Sequence, residues 1–192
     1  VSEIFVNHCG PCHGKTGDGK GPAADFFSPR PRELKFGFMK FRTTEGNQRQ
    51  PSDDDLHRVI ADGLKRTGMP SWRKSLTDEQ IRKLVQLVKE VGDVVDMEID
   101  PAIAEFVPSS PLSAEEKLES RTLFQKNCER CHGKDARGDV TERKLLFDDW
   151  GQRVWPRNLT QPGTFRWAKG MQGIYRALTL GIDGTPMPSF AK

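Results

Sequence analysis

The string Cys-x-x-Cys-His occurs twice in this chain, as Cys9-Gly-Pro-Cys12-His13 and as Cys128-Glu-Arg-Cys131-His132, and the two copies use all four cysteines. The spacing carries a specific chemistry. Two thiols so placed can add to the two vinyl groups of one haem, and the histidine that follows, on the same helical turn, reaches the iron. A structural disulfide pair, a zinc site and a thioredoxin-type redox motif are the weaker alternatives. Zinc knuckles do not usually place His directly after the second Cys, and the redox motif needs a βαβ context, whereas the flanks here read as helical and Gly-rich.

Each string sits in its own half of an internal repeat. Ile4-Phe5-Val6-Asn7-His8-Cys9 lines up with Leu123-Phe124-Gln125-Lys126-Asn127-Cys128, Pro31-Arg32-Glu33-Leu34 with Pro156-Arg157-Asn158-Leu159, and Phe41-Arg42 with Phe165-Arg166. Further on, Leu56 to Leu64 aligns with Ile174 to Ile182, and Met69-Pro70-Ser71-Trp72 with Met187-Pro188-Ser189-Phe190. In both halves the apolar residues fall at i, i+3, i+4 and i+8, which predicts an amphipathic helix leading into a Met-Pro loop. The repeat predicts two haem domains, 1–92 and 113–192. The stretch 93–112, with Pro101, Pro108 and Pro111, reads as a linker, extended where the prolines fall. Capping boxes at Thr77-Asp-Glu-Gln80 and Ser113-Ala-Glu-Glu116 predict helices over 77–91 and 113–127. With no convincing alternating strand, the expected fold is all-α with long Gly- and Pro-rich loops.

Length and composition agree with two small domains that need help to form their cores. The 192 residues are 35% hydrophobic and 30% charged, lean for two unaided cores, and each haem would supply much of its domain's interior. No run approaches the roughly 18 apolar residues of a membrane span, and the N-terminus lacks a basic region followed by an apolar stretch. A soluble chain whose export signal has been removed is therefore expected. Thirty Lys and Arg against 27 Asp and Glu give +3, too small and too evenly mixed for a nucleic-acid binder.

The second axial position of each iron decides between electron transfer and catalysis on a small ligand. Met69 follows His13 by 56 residues and Met187 follows His132 by 55, whereas Met39, Met97 and Met171 keep no such relation and read as packing residues. A soft thioether favours ferrous iron, and full coordination leaves no open position for oxygen or peroxide. His8 and His57 have Asn127 and Tyr175 as their counterparts and read as solvated residues. Arg32, Arg42, Arg157, Arg166, Trp155 and Trp167 are low-ranking candidates for bonding haem propionates.

On Cys-x-x-Cys-His-Gly at 9–14 and 128–133 and the two Met-Pro loops, the chain resembles the class I cytochromes c, and more narrowly their tandem two-domain, two-haem members. The resemblance spans both halves. It implies two covalently attached haems on Cys9, Cys12, Cys128 and Cys131, with His13 and Met69 on one iron and His132 and Met187 on the other. Since thioether attachment takes place outside the cytoplasm in bacteria, it also implies a periplasmic location. In that family a prolyl carbonyl soon after the attachment site accepts a hydrogen bond from the ligating imidazole. Pro22 is the expected acceptor in the first half. Thr141 stands at the corresponding distance in the second, so a different carbonyl, and a haem of different potential, is expected there.

The family also packs a helix before the attachment site against one after the Met loop. The second half stops five residues after Met187, so this last helix is missing from the sequence. That leaves either a piece of something longer or a face covered by a partner. The leading expectation is a carrier of single electrons between redox-protein partners, with no reaction of its own. A haem c subunit or fragment of a larger oxidoreductase, of the molybdenum type, is the first alternative. A di-haem peroxidase-like enzyme is the second.

Overall fold

The computed structural model describes residues 3–36, 39–45, 50–94, 102–106, 111–139, 146–167 and 170–191. Helices dominate. A π-helical turn, Phe5–Cys9, runs directly into the short α1, Gly10–His13, so the first attachment motif lies at the end of one continuous helical segment. Two longer helices follow, α2 (Asp53–Asp62) and α3 (Asp78–Val91). Then come α4 (Ala114–Asn127), the short α5 (Glu129–His132) carrying the second motif, and α6 (Gly170–Leu180).

The helix starts follow from their caps. Thr77 and Ser113 each accept the backbone N–H three residues on, and Gln80 and Glu116 return the bond, at the boundaries their capping boxes predict. The same box, Ser52 with Asp55, opens α2. Asp55 then does more than cap. Its carboxylate also accepts from the Thr43 backbone and hydroxyl, tying the preceding loop to the helix.

The apolar core lies in the first half. Phe5, Leu34, Leu56, Ile60, Ala61, Leu76, Ile81, Leu84, Val85 and Val88 form one buried cluster in which α2 and α3 close over the first helical turn. The i, i+3, i+4 spacing puts Ile81, Leu84, Val85 and Val88 on one face of α3. Leu84 is 2% exposed, so Leu84→Ala is expected to cost about 2–5 kcal/mol through the lost transfer energy and the cavity left behind. Urea unfolding followed by helical signal would measure it. In contrast, α4 buries none of its residues, and Leu118 and Leu123 are exposed.

Two features differ from expectation. A small antiparallel hairpin is present, β1 (Leu146–Phe147) paired with β2 (Arg153–Val154). Two-residue strands are too short to leave an alternating pattern. The expected linker is also not a bare spacer where it is described. Ala102 bridges to Thr44, the Ile103 N–H donates to the Thr43 carbonyl, and Ile103 is buried. Phe106 lies against Tyr175, ring centroids 5.2 Å apart. These apolar side chains give the segment something to bury. Pro101 and Pro108 lie outside the described residues, as does Met97; Pro111 precedes α4.

Candidate functional site

Each Cys-x-x-Cys-His string ends its short helix on a glycine at positive φ, Gly14 (78°) and Gly133 (76°). The chain then doubles back. Gly19 donates to the His13 carbonyl and Gly138 to the His132 carbonyl, both at 2.8 Å. Leu34 donates to Gly17 and Leu159 to Ala136, both at 2.7 Å. The return pass brings a backbone carbonyl onto each imidazole: His13 Nδ1 lies 2.8 Å from the Arg32 carbonyl oxygen, and His132 Nδ1 lies 2.9 Å from that of Arg157. A carbonyl only accepts, so Nδ1 carries the hydrogen in both rings and Nε2 keeps a lone pair free for a metal. Burial pushes the His13 pKa down, outweighing the opposing effect of the Arg32 carbonyl, and so favours the neutral, ligating form.

This corrects the expectation for Pro22. The glycine-rich loop folds back on α1, with Gly21 donating to the Cys12 carbonyl and Ala23 to that of Pro11. Pro22 is therefore held against the helix, and the following pass, through Pro31-Arg32, reaches the ring. Thr141 lies outside the described residues, and Arg157 supplies in the second half what Arg32 supplies in the first. The expected difference between the halves in this contact is absent.

The Met loops match bond for bond. Gly63 and Gly181 turn the chain at φ 67° and 71°, with no room for a side chain: a Cβ would stand 2.5 Å from Pro70 and 2.7 Å from Pro188. Leu64 then donates to the Met69 carbonyl and Ile182 to that of Met187, both at 3.1 Å. The Thr67 hydroxyl donates to Leu64 and accepts from the Met69 N–H, and Thr185 repeats this with Ile182 and Met187. Ser71 and Ser189 tie the far ends back to the carbonyls of Ala61 and Thr179. Thr67 and Thr185 were not singled out by the sequence reading, though they occupy matched positions of the repeat. Met69 and Cys9 both pack against the apolar cluster of the first half.

No disulfide joins any of the four cysteines, and all are partly buried. Burial, with Cys12 adding to it, pushes Cys9 up to about 11, and burial likewise raises Cys128. Among the described residues no group of three or more His, Cys, Asp or Glu gathers as a metal site.

The remaining candidates have structural contacts. His57 Nε2 lies 2.6 Å from Asp78 Oδ1 and joins α2 to the first turn of α3. This is more than the solvated role expected. His8 is exposed, its ring tilted against Trp72 at 5.1 Å. Arg42 is buried and paired with Asp183, Trp167 stacks on Phe41 at 5.5 Å, and Arg153 lies over Trp155. Arg166 and Arg176 each hold a buried Nε with no hydrogen-bond partner. Burial lowers the pKa of both Arg157 and Arg166, and a neighbouring arginine adds to it in each case. Such a cationic cluster suits an anionic group, and a haem carries two carboxylates. Arg176 matches Arg58 in the repeat but was not singled out as a candidate.

Paired cysteines beside histidines whose Nδ1 meets a backbone carbonyl, with methionine loops laced in the same way in each half, fit an iron porphyrin and define a haem protein of the cytochrome c type. Comparison with known proteins agrees. The family described as cytochrome c oxidase, cbb3-type, subunit III, matches residues 1–88. A solved structure of the reducing HAO-like protein complex of Kuenenia stuttgartiensis contains a chain 32% identical to this one, with a TM-score of 0.88. The match covers 100% of this chain and 89% of that one. No curated protein sequence matches. The chain belongs to the cytochrome c family, whose members transfer electrons through haem iron. No helix among the described residues is long and apolar enough to cross a membrane.

Proposed function

We propose that the chain is a di-haem electron carrier. Its two haem domains, 1–92 and 113–192, are joined by residues 93–112. Cys9 and Cys12 attach one haem, and Cys128 and Cys131 the other. His13 and Met69 ligate the first iron, and His132 and Met187 the second. The observation that carries this reading is the duplication: both the carbonyl-to-imidazole contact and the full set of Met-loop hydrogen bonds occur once in each half.

When bound, haem supplies one-electron exchange between ferric and ferrous iron. The chain's own residues do the rest. Arg32 and Arg157 orient the imidazoles through their carbonyls, the thiols fix the ring covalently, and the laced loops hold a soft sulfur in place. Neither Met loop contains a histidine, and Asp183, paired with Arg42, is the one carboxylic acid in either loop; on that ground the chain carries electrons and turns over no substrate. Thioether attachment, which takes place outside the cytoplasm in bacteria, supports a periplasmic location. The relative belongs to a complex, and on that ground the redox partner is an oxidoreductase subunit bound to this chain.

Protein matured in a host competent for haem attachment is expected to keep two haems through acid denaturation and solvent extraction. Intact mass spectrometry would show two haem additions, and fewer would sink the di-haem reading. Fast carbon monoxide binding to one reduced haem with peroxide turnover would favour the enzyme alternative.

A further inference from the structure

The two halves differ where they meet. The carbonyl that receives the imidazole hydrogen lies 19 residues after His13 but 25 after His132, so the second half carries six extra residues in this interval. The β1–β2 hairpin occupies it. One side of the hairpin tip grips the first half. The Arg30 N–H donates to Gln152 Oε1 at 3.0 Å, and Lys40 Nζ pairs with Asp148 at 2.9 Å. The Arg32 guanidinium lies 3.3 Å above the Trp150 ring centroid.

The other side of the tip braces the turn before Met187. Asp149 donates to the Gly184 carbonyl at 2.9 Å. Gly184 lies flat on Trp150, since a Cβ there would stand 2.0 Å from the ring. From the first half, Arg42 Nε reaches Asp183 at 2.6 Å, with side chains only 5% and 10% exposed. The matching turn of the first half carries Lys65 and Arg66, both exposed. The first Met loop rests on its own half, with Gly68 on the Phe27 ring, where a Cβ would stand 2.2 Å away; the second is braced in addition by Arg42 of the other half.

We propose that Arg42 and Trp150 are positioning residues for the second iron. By holding Asp183 and Gly184 they keep Met187 in place as ligand, and parting of the halves opens that iron's sixth position. Among the described residues, the hydrogen bonds that hold Met69 come from its own half. This rests on the reading of Met187 as an axial ligand. Breaking a buried ion pair by removing one member is strongly destabilising, so the clamp is sensitive to single changes.

The test uses the full haem-loaded chain. Arg42→Met and Trp150→Leu are each expected to speed carbon monoxide binding to one reduced haem by about tenfold or more, since the rate follows the open fraction. Each should also weaken the Fe–S charge-transfer band by up to about half, one haem's share of two, and lower one potential only. Arg42→Lys, which keeps a cation on Asp183, is expected to restore most of the band. Lys65→Ala, at the matching turn, should change nothing.

Arg42 Nη1 also donates to the Thr44 carbonyl. Should Arg42→Met fail to fold, Asp183→Asn is expected to show the same changes at smaller amplitude. Unchanged kinetics and potentials in Trp150→Leu and in whichever of Arg42→Met or Asp183→Asn folds would overturn the proposal, provided Met187→Leu itself removes half the band. If Met187→Leu leaves the band whole, the ligand assignment fails instead, and the proposal falls with it.

Discussion

Protein with both Cys128 and Cys131 replaced by serine is expected to retain one haem and to lose the helical signal of its second half. The reason lies in the distribution of buried apolar residues. Those described all lie between Phe5 and Ile103, while α4 buries nothing and α6 buries only Gly173. Helices of 14 and 11 residues are marginal in water without an apolar surface to pack on. The proposed covalently held haem would supply that surface. The reverse variant, Cys9→Ser with Cys12→Ser, should keep more of its structure, because α2, α3 and Phe5 retain a protein core of their own. Circular dichroism and limited proteolysis on the two double variants would compare them. Equal loss in both would show that the halves depend on haem to the same degree.

Met69→His and Met187→His are each expected to lower the potential of one haem by tenths of a volt, within the ~0.8 V range that axial ligands command. A thioether stabilises ferrous iron, and an imidazole removes that preference. Each variant should also lose about half of the Fe–S charge-transfer absorption, one haem's share of two. Potentiometric titration with optical detection would resolve both effects. If neither variant moves a potential, other residues bind the irons.

The attachment strings, the repeat and two of the capping boxes could be read from the sequence because each is a local pattern of side chains. The imidazole's partner could not. Pro31-Arg32 and Pro156-Arg157 were visible as a repeat, but the atom that acts is a backbone carbonyl, to which the side-chain letters are blind. Expectation settled instead on Pro22, which the Gly-rich loop holds against α1. The clamp on the second Met loop was hidden for another reason. Arg42 and Asp183 are 141 positions apart, and the repeat that marks Arg42 gives no sign of its pairing with Asp183. The hairpin that joins the halves offers four strand residues, too few for any periodicity to show.

The lacing of the Met loops bears on speed as well as on potential. Gly63 and Gly181 fix the turn, and the Thr67 and Thr185 hydroxyls each bridge two backbone groups beside the sulfur-bearing residue. A ligand held this way has little freedom to relax when the charge on its iron changes. Donors and acceptors already in place need not rearrange as an electron arrives. With Met69 and Met187 on the irons, both centres would exchange electrons with a low reorganisation energy, and the rate of transfer would be governed by distance and by how a partner docks.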